Sequence, residues 1–316
     1  MAQPTGTFDT FDAVGVREDI SNVISRIDPQ DTPFTSNIGK GTCNNTYFEW
    51  QTQALAAAAH DNAHIQGDVN TATAVIPTAR VGGRTQIFKK TVNISATTEA
   101  VDKAGRGREI QYQKLLKGVE LKRDREKRMI GNYASVTGDS STAYETGGLQ
   151  AWIETSADLG AGATEGGFAS GNVVAHTMGT PRAFTEALLK TAQQSAYSAG
   201  GKPTILSVGP AQKVVFSSFT GLAETRINNP NGQTKIVGGA DIYIGDFGSL
   251  TTTVNLFQDA ASAILIDPKL AKIRTLRGMT ATKDAPNSDG EQWTIVCEEG
   301  LEVTNEAGHA LIGALS

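Results

Sequence analysis

Residues 99–128 constrain this chain more than any other segment: a proline-free run that reads as one long helix and turns almost wholly to charge towards its end. In ELKRDREKR, positions 120–128, Leu121 is the one apolar residue, whereas a helix buried on one face shows an apolar residue every three or four positions. At about 1.5 Å per residue the run spans roughly 45 Å, more than a compact domain needs for its own core. Such a helix suits a subunit that bridges surfaces in a larger assembly. The segment holds ten Lys and Arg against six Asp and Glu, so in a chain of net charge −5 the remaining residues carry −9. That asymmetry suits complementary contacts between copies.

A chain of 316 residues exceeds the usual size of one hydrophobic core and predicts two modules, or one with long extensions. A net acidic balance argues against a dedicated nucleic-acid binder. Cys43 and Cys297 stand far apart without C-x-x-C spacing, which points to neither a disulfide framework nor a zinc site and favours a reducing cytosol. The start, MAQPTGTFDT, shows no secretory pattern, and no stretch approaches the roughly 20 apolar residues of a membrane span.

Residues 1–45 read as an arm. Phe8, Phe11, Val14 and Val16 are scattered anchors, residues 18–27 fit a short helix, and Asp28-Pro29 and Thr32-Pro33 break it. Such an arm has no core of its own, so neighbouring chains are expected to hold it. TYFEWQTQ at 46–53 alternates as a strand, and residues 75–81 and 85–95 read as its return path, giving a long hairpin over 46–95 with an exposed polar tip. A two-stranded ribbon is marginal alone and should lie on a partner. The four cations placed on this return path, Arg80, Arg84, Lys89 and Lys90, have no acid between Val75 and Ala96, and are expected to dock on acidic surface of an adjacent subunit.

Beyond the charged helix, glycines between 147 and 171 mark loops. Residues 181–197 predict an amphipathic helix with Phe184, Leu188 and Ala192 on one face and Gly200-Gly201 as its stop. Residues 204–208 read as a buried strand and 211–219 as a second helix. Strands are predicted at 241–244, 250–256, 263–266, 292–298, 301–305 and 309–312, joined by Gly, Asp and Pro turns and expected to pair antiparallel. With the long helix these strands would form one α+β domain, over 96–145 and 241–316, into which a module at 146–240 is inserted.

Catalytic signatures are weak. His60 and His64 stand at i and i+4, which on a helix can share a metal, but the zincin pattern needs Glu where Asp61 stands, and the surroundings read as a loop. Gly105-Arg106-Gly107 opens a helix without the third glycine of a dinucleotide turn, Ile110 occupying that place. No G-x-S-x-G occurs, the Gly-Lys pairs lack P-loop spacing, and Asp267, Glu298 and Glu299 read as solvated strand-end acids. The residues point to no catalytic site, cofactor or metal; a metal-dependent enzyme built on His60 and His64 is the remote alternative.

The order of parts is informative as a whole. Glu18-Asp19-Ile20 and Asp28-Pro29-Gln30-Asp31-Thr32-Pro33-Phe34 precede a ribbon holding Glu49-Trp50-Gln51 and Thr85-Gln86-Ile87-Phe88; the charged helix and a module with Gly200-Gly201-Lys202-Pro203 follow. The chain closes on Asp246-Phe247-Gly248, Leu265-Ile266-Asp267-Pro268, Leu276-Arg277 and Leu301-Glu302-Val303. Over nearly its whole length this resembles the tailed-phage major capsid proteins of the group related to phage SU-ten, within the Hong Kong 97 capsid fold. The resemblance implies an N-arm (1–45), an E-loop hairpin (46–95), the first part of a peripheral domain with its spine helix (96–145), an axial domain (146–240), and axial-to-peripheral strands with the second part of the peripheral domain (241–316). It implies hexamers and pentamers forming an icosahedral shell around packaged double-stranded DNA, without sequence-specific DNA binding, cofactor or membrane. Portal and decoration proteins are further expected partners. The Gly-rich stretch at 160–171 departs from the family pattern, and the short N-terminal segment implies a separate scaffold protein. Inter-subunit contacts are expected at Phe34, Trp50, Arg80, Arg84, Lys89, Lys90, Arg123 and Arg125, in a virion protein assembled in the host cytoplasm. An encapsulin-like shell around protein cargo would share the fold.

Overall fold

The computed structural model describes residues 28, 31–70, 72–103, 105, 107–219, 227–228, 234–235, 241–285 and 289–316. Its elements, numbered in chain order, form two main sheets, with a long helix packed on the first of them. The first, peripheral sheet runs in the order β1 (Gly39–Thr42), β14 (Ala271–Lys283), β15 (Gly290–Val303), β4 (Gln86–Ser95), with β1 parallel to β14 and the other neighbours antiparallel. Along β4 the side chains alternate: Phe88 and Val92 are buried, while Ile87 and Lys89 are exposed on the opposite face.

The expected long helix is two helices, α2 (Ala96–Ala100) and α3 (Glu109–Ile130). Gly105 takes a positive φ of 76° in the break, and Glu99 folds back so that its Oε2 accepts from the backbone N–H of Glu109 and Ile110 at 3.0 and 3.3 Å. A carboxylate on the first free N–H groups is a favourable helix start. At 22 residues α3 is about 33 Å long.

Several of the charges on α3 are met inside the subunit. Leu121 enters the peripheral core, Lys90 pairs with Asp124 at 2.7 Å, and Arg125 with Glu299 at 2.9 Å. Arg128 reaches the carbonyls of Ala134 and Thr146 at 2.7 and 2.8 Å and the Glu145 carboxylate at 2.9 Å. On the opposite side Glu126 is fully buried. Its Oε1 accepts from Phe34 N at 2.7 Å and Asn255 Nδ2 at 2.7 Å, and its Oε2 from Thr35 N at 2.8 Å. Phe34 and Thr35 open α1 (Pro33–Asn37), so this part of the expected arm belongs to the subunit's own body: Phe34 and Ile38 are buried, and β1 follows into the sheet. Residues 1–27, 29 and 30 lie outside the described residues.

The second, axial sheet runs β11 (Ile242–Gly245), β12 (Gly248–Val254), β8 (Ile205–Val208), β13 (Ala263–Ile266), β16 (Ala310–Ile312), β5 (Ala157–Asp158). Four of these strands come from the C-terminal quarter, so they join the middle module rather than the long helix, and β12–β8 and β16–β5 are parallel. The helices α5 (Glu186–Ser198) and α6 (Pro210–Ser217) cover one face, packing Leu189 and Phe216 with Leu206, Leu250 and Leu265. Ile264, Ile266 and Leu311 point the other way, into the core shared with α3, the peripheral sheet and α4 (Leu149–Trp152). Strand β13 is thus buried on both faces, as its unbroken AILI run requires. A two-stranded ribbon, β2 (Tyr47–Thr52) with β3 (Ala79–Arg84), leaves the body. Two small antiparallel pairs, β6 (Gly167–Ala169) with β7 (Asn172–Val174) and β9 (Ile227–Asn228) with β10 (Thr234–Lys235), and a 3-10 turn at Glu306–Gly308 complete the described elements.

The chain crosses between the sheets twice in its last quarter, after β13 and after β15, and the crossings are tied together. Leu270 O accepts from Thr304 N at 2.9 Å, and the backbone N–H of Asp267 donates to His309 Nδ1 at 3.2 Å. With Nδ1 an acceptor, the neutral ring carries its proton on Nε2. Burial holds the imidazole down at about 4, from the ordinary 6.5. A depressed basic group favours the folded state above its unfolded pKa, so stability should fall as pH drops from 6.5 towards 4 and lose no more to this group below that. The loss is about 3 kcal/mol. Urea unfolding of the unassembled subunit at pH 7 and pH 4.5 should show it, with a flatter pH dependence in His309→Gln.

Candidate assembly interface

The candidate site is a projection rather than a pocket. Strands β2 and β3 pair from Tyr47–Arg84 at the root to Thr52–Ala79 at the outer end. The ribbon stops at Arg84; residues 86–95 turn into the peripheral sheet as β4 instead of continuing as its return path. Alternation showed which faces these strands have but not which partner they take. Lys89 and Lys90 therefore lie on the body and not on the ribbon.

The root is fixed by aromatic contacts. Phe48 stacks on Trp50 with ring centroids 6.0 Å apart, Trp50 meets Trp152 at 5.7 Å, and Trp152 stacks on Phe168 at 5.6 Å. The Arg84 guanidinium lies 4.7 Å above the Tyr47 ring and its Nε donates to Asn172 Oδ1 at 3.0 Å. Where the ribbon crosses β15, Gly300 faces the Arg84 carbonyl so closely that a Cβ would collide with it. Only glycine lets the two backbones approach this far. Beside the root lies a groove of about 660 Å³ lined by Gln51, Gln53, Trp152, Phe168, Asn305 and Glu306 among others.

Past this root, the described residues between 53 and 78 carry no regular element, although the Gln53 amide still ties the two sides by donating to Ile76 O at 2.8 Å. Leu55, Ile65, Val69 and Val75 are each more than four-fifths exposed here. Four large apolar residues on one projecting tip form a surface that water does not favour. The sequence reading of a polar tip overlooked them because Ala, Thr and Asn separate them. His60 and His64 sit in the same irregular stretch, with no helix to align them, and His64 contacts Asn62 at 3.1 Å. Among the described residues no group of three or more His, Cys, Asp or Glu is placed to hold a metal.

The other expected contact residues divide by exposure. Phe34 is buried in its own subunit and Trp50 is half-buried at the root. Arg125 is held by Glu299, and Arg123 lies 5.4 Å from the Phe257 ring. Arg80 is exposed, with Glu49 as its partner, and Lys89 faces outward from β4. Asp267, Glu298 and Glu299, read as solvated, are buried. Asp267 accepts from the backbone N–H of Lys202 and Lys269, and Arg277 meets Glu298 at 2.7 Å. A further apolar surface lies on β11, the edge strand of the axial sheet among the described residues, where Ile242 and Ile244 are exposed.

Residues 3–316 match the family model of the SU10 major capsid protein. The chain belongs to this family. It is 30% identical to the major capsid protein of Escherichia phage Phieco32 over 96% of each chain. Its fold is also that of solved capsids: the native GTA particle (TM-score 0.62, 11% identity, 97% of this chain and 98% of the other) and phage G with its gp27 major capsid and gp26 decoration proteins (TM-score 0.57, 9% identity, all of both chains). The protein is thus a tailed-phage major capsid protein with the Hong Kong 97 capsid fold, and oligomerises with copies of itself. In the family's terms the ribbon with its tip is the E-loop region and α3 the spine helix.

The two arginines at the extremes of exposure should separate sharply. Arg125→Ala leaves the Glu299 carboxylate buried without its partner and should cost about 3–5 kcal/mol of subunit stability. Arg80→Ala breaks an exposed pair and should cost less than about 1 kcal/mol. Chemical denaturation of the dissociated subunits measures both.

Proposed function

We propose that copies of this chain close into hexamers and pentamers of an icosahedral head shell around packaged double-stranded DNA, each E-loop tip lying on a neighbouring copy. The observation that carries this reading is the apolar tip itself: Leu55, Ile65, Val69 and Val75 are held away from the body by a root locked through Trp50, Trp152 and Arg84. A second surface supplies what the chain alone lacks, since burying such side chains is worth about 1.5–3 kcal/mol each. Arg80 and Lys89 carry the charge complementarity expected of the contact, while Arg84, Lys90 and Arg125 act within the subunit. Each contact is modest, and closure of many on one shell makes assembly cooperative.

The protein is read as structural rather than enzymatic, and its packaged DNA as held without sequence readout. A scaffold protein and a portal complete the proposed partners; decoration proteins, present in the phage G capsid structure, extend the set. Shell assembly is placed in the host cytoplasm. Among the described residues no helix is long and apolar enough to cross a membrane. The match to phage capsid proteins favours a head shell over an encapsulin-like compartment.

Replacing residues 56–75 by a short Gly-Ser linker tests the reading. The shortened subunit should keep its circular dichroism spectrum and its melting temperature within a few degrees, yet form no shells by electron microscopy. Shells at the yield of the unaltered chain would contradict the proposed role of the tip.

A further inference from the structure

The ribbon that carries the tip has an unpaired side. Among the described residues β2 pairs with β3 alone. Thr85 N donates to Thr46 O at 2.8 Å, one row before the Tyr47–Arg84 pair. Rows that exchange hydrogen bonds alternate with rows that do not in an antiparallel ladder. Phe48, Trp50 and Thr52 therefore turn their N–H and C=O groups to β3, while Glu49 and Gln51 turn theirs the other way, where no described strand receives them.

That side of β2 borders the groove of about 660 Å³ beside the root. Gln51 and Thr52 of β2 line it together with Gln53 and Ala54 that follow. One face of a strand contributes every second residue, so four consecutive ones make this wall an edge. Trp152 and Phe168, stacked at 5.6 Å, give the groove an apolar surface, and residues 303–306, where β15 ends, line it as well. Two carboxylates belong to it, Glu154 and Glu306, and no Lys or Arg. Glu154 is exposed, and Glu306 is fixed in place by the backbone N–H of Glu154 and Thr155, which donate to its Oε2 at 2.9 and 3.1 Å.

These features specify an occupant. An unpaired edge takes an extended chain through its main-chain groups, the aromatic floor takes apolar side chains, and a cation-free pair of carboxylates takes Lys or Arg. The cation-bearing strands of this chain among the described residues, β1, β3, β4, β10 and β14, are already held in its own sheets. We propose that the groove is a docking site for an extended basic segment of a separate protein, which adds as a third strand to the free edge of β2 and sets a cation against Glu154 and Glu306. This goes beyond the shell contact made by the tip and does not depend on it.

The probe is a fluorescent nonapeptide of alternating valine and arginine, titrated by anisotropy into dissociated subunits and into assembled shells of the full chain. Both should bind it, at least tenfold more tightly than a valine and glutamate peptide of the same length. Gln51→Pro removes an N–H that β3 does not use, so the ribbon should persist, with an unchanged circular dichroism spectrum, while peptide affinity falls at least tenfold. Glu154→Lys should lower it by a similar factor. Should the proline variant fold poorly, the same peptide N-methylated at every second residue, titrated into the unaltered chain, tests the pairing instead and should bind at least tenfold more weakly. Equal binding of the acidic peptide, or equal binding after either block of the main-chain pairing, would overturn the proposal. Binding to subunits that disappears in shells would overturn it too, since a neighbouring copy would then be the occupant.

Discussion

The Glu126 carboxylate is the interaction on which the arrangement of this subunit turns. It sits in the most charged stretch of the chain, yet it is fully buried and receives three N–H donors, two from the start of α1 and one from Asn255 after β12. One side chain thereby joins the spine helix, the end of the arm and the axial sheet. A buried carboxylate without donors would cost several kcal/mol, and donors to a buried charge are individually strong. The site therefore works as a lock that closes only when all three parts are in place.

The capsid role follows from what that lock leaves outside. With both sheets, the helix and α1 joined around shared cores, the subunit has one packed body, and the E-loop ribbon is seated on it by aromatic stacking and the close crossing at Gly300. The apolar tip then projects from a firm root. Rigidity matters because a shell multiplies every angular error; a tip on a loose hinge would give contacts without a defined closure. The buried His309 at the crossings between the sheets places an acid-sensitive group where the two sheets meet.

Much of this was legible in the sequence where local pattern decides structure. Helix α5 showed its apolar face, and the structure adds the Thr185 cap and Gly200 in the left-handed region at its end. Strand β13 was read from an unbroken apolar run. Strand β14 was not, because AKIRTLRGMTATK mixes cations and threonines, and the acids that pair with Arg274 and Arg277 lie 28 and 21 positions on, on β15. For the same reason the charged half of α3 looked solvated: Arg125 and Glu299 are 174 positions apart, and sequence pattern does not show such pairings. Strand β4 was recognised but given the wrong neighbour. The family resemblance supplied the assembly role, while the tip's apolar character emerged only from the exposure of its four residues.

Hydrogen exchange at the Phe34 and Thr35 amides tests the Glu126 lock most directly, comparing Glu126→Leu with the unaltered subunit. If the carboxylate holds the start of α1, both amides should exchange at least tenfold faster in the variant while those at the centre of β13 keep most of their protection. Unchanged exchange at Phe34 and Thr35 would contradict the account, since α1 would then be held by its apolar packing alone.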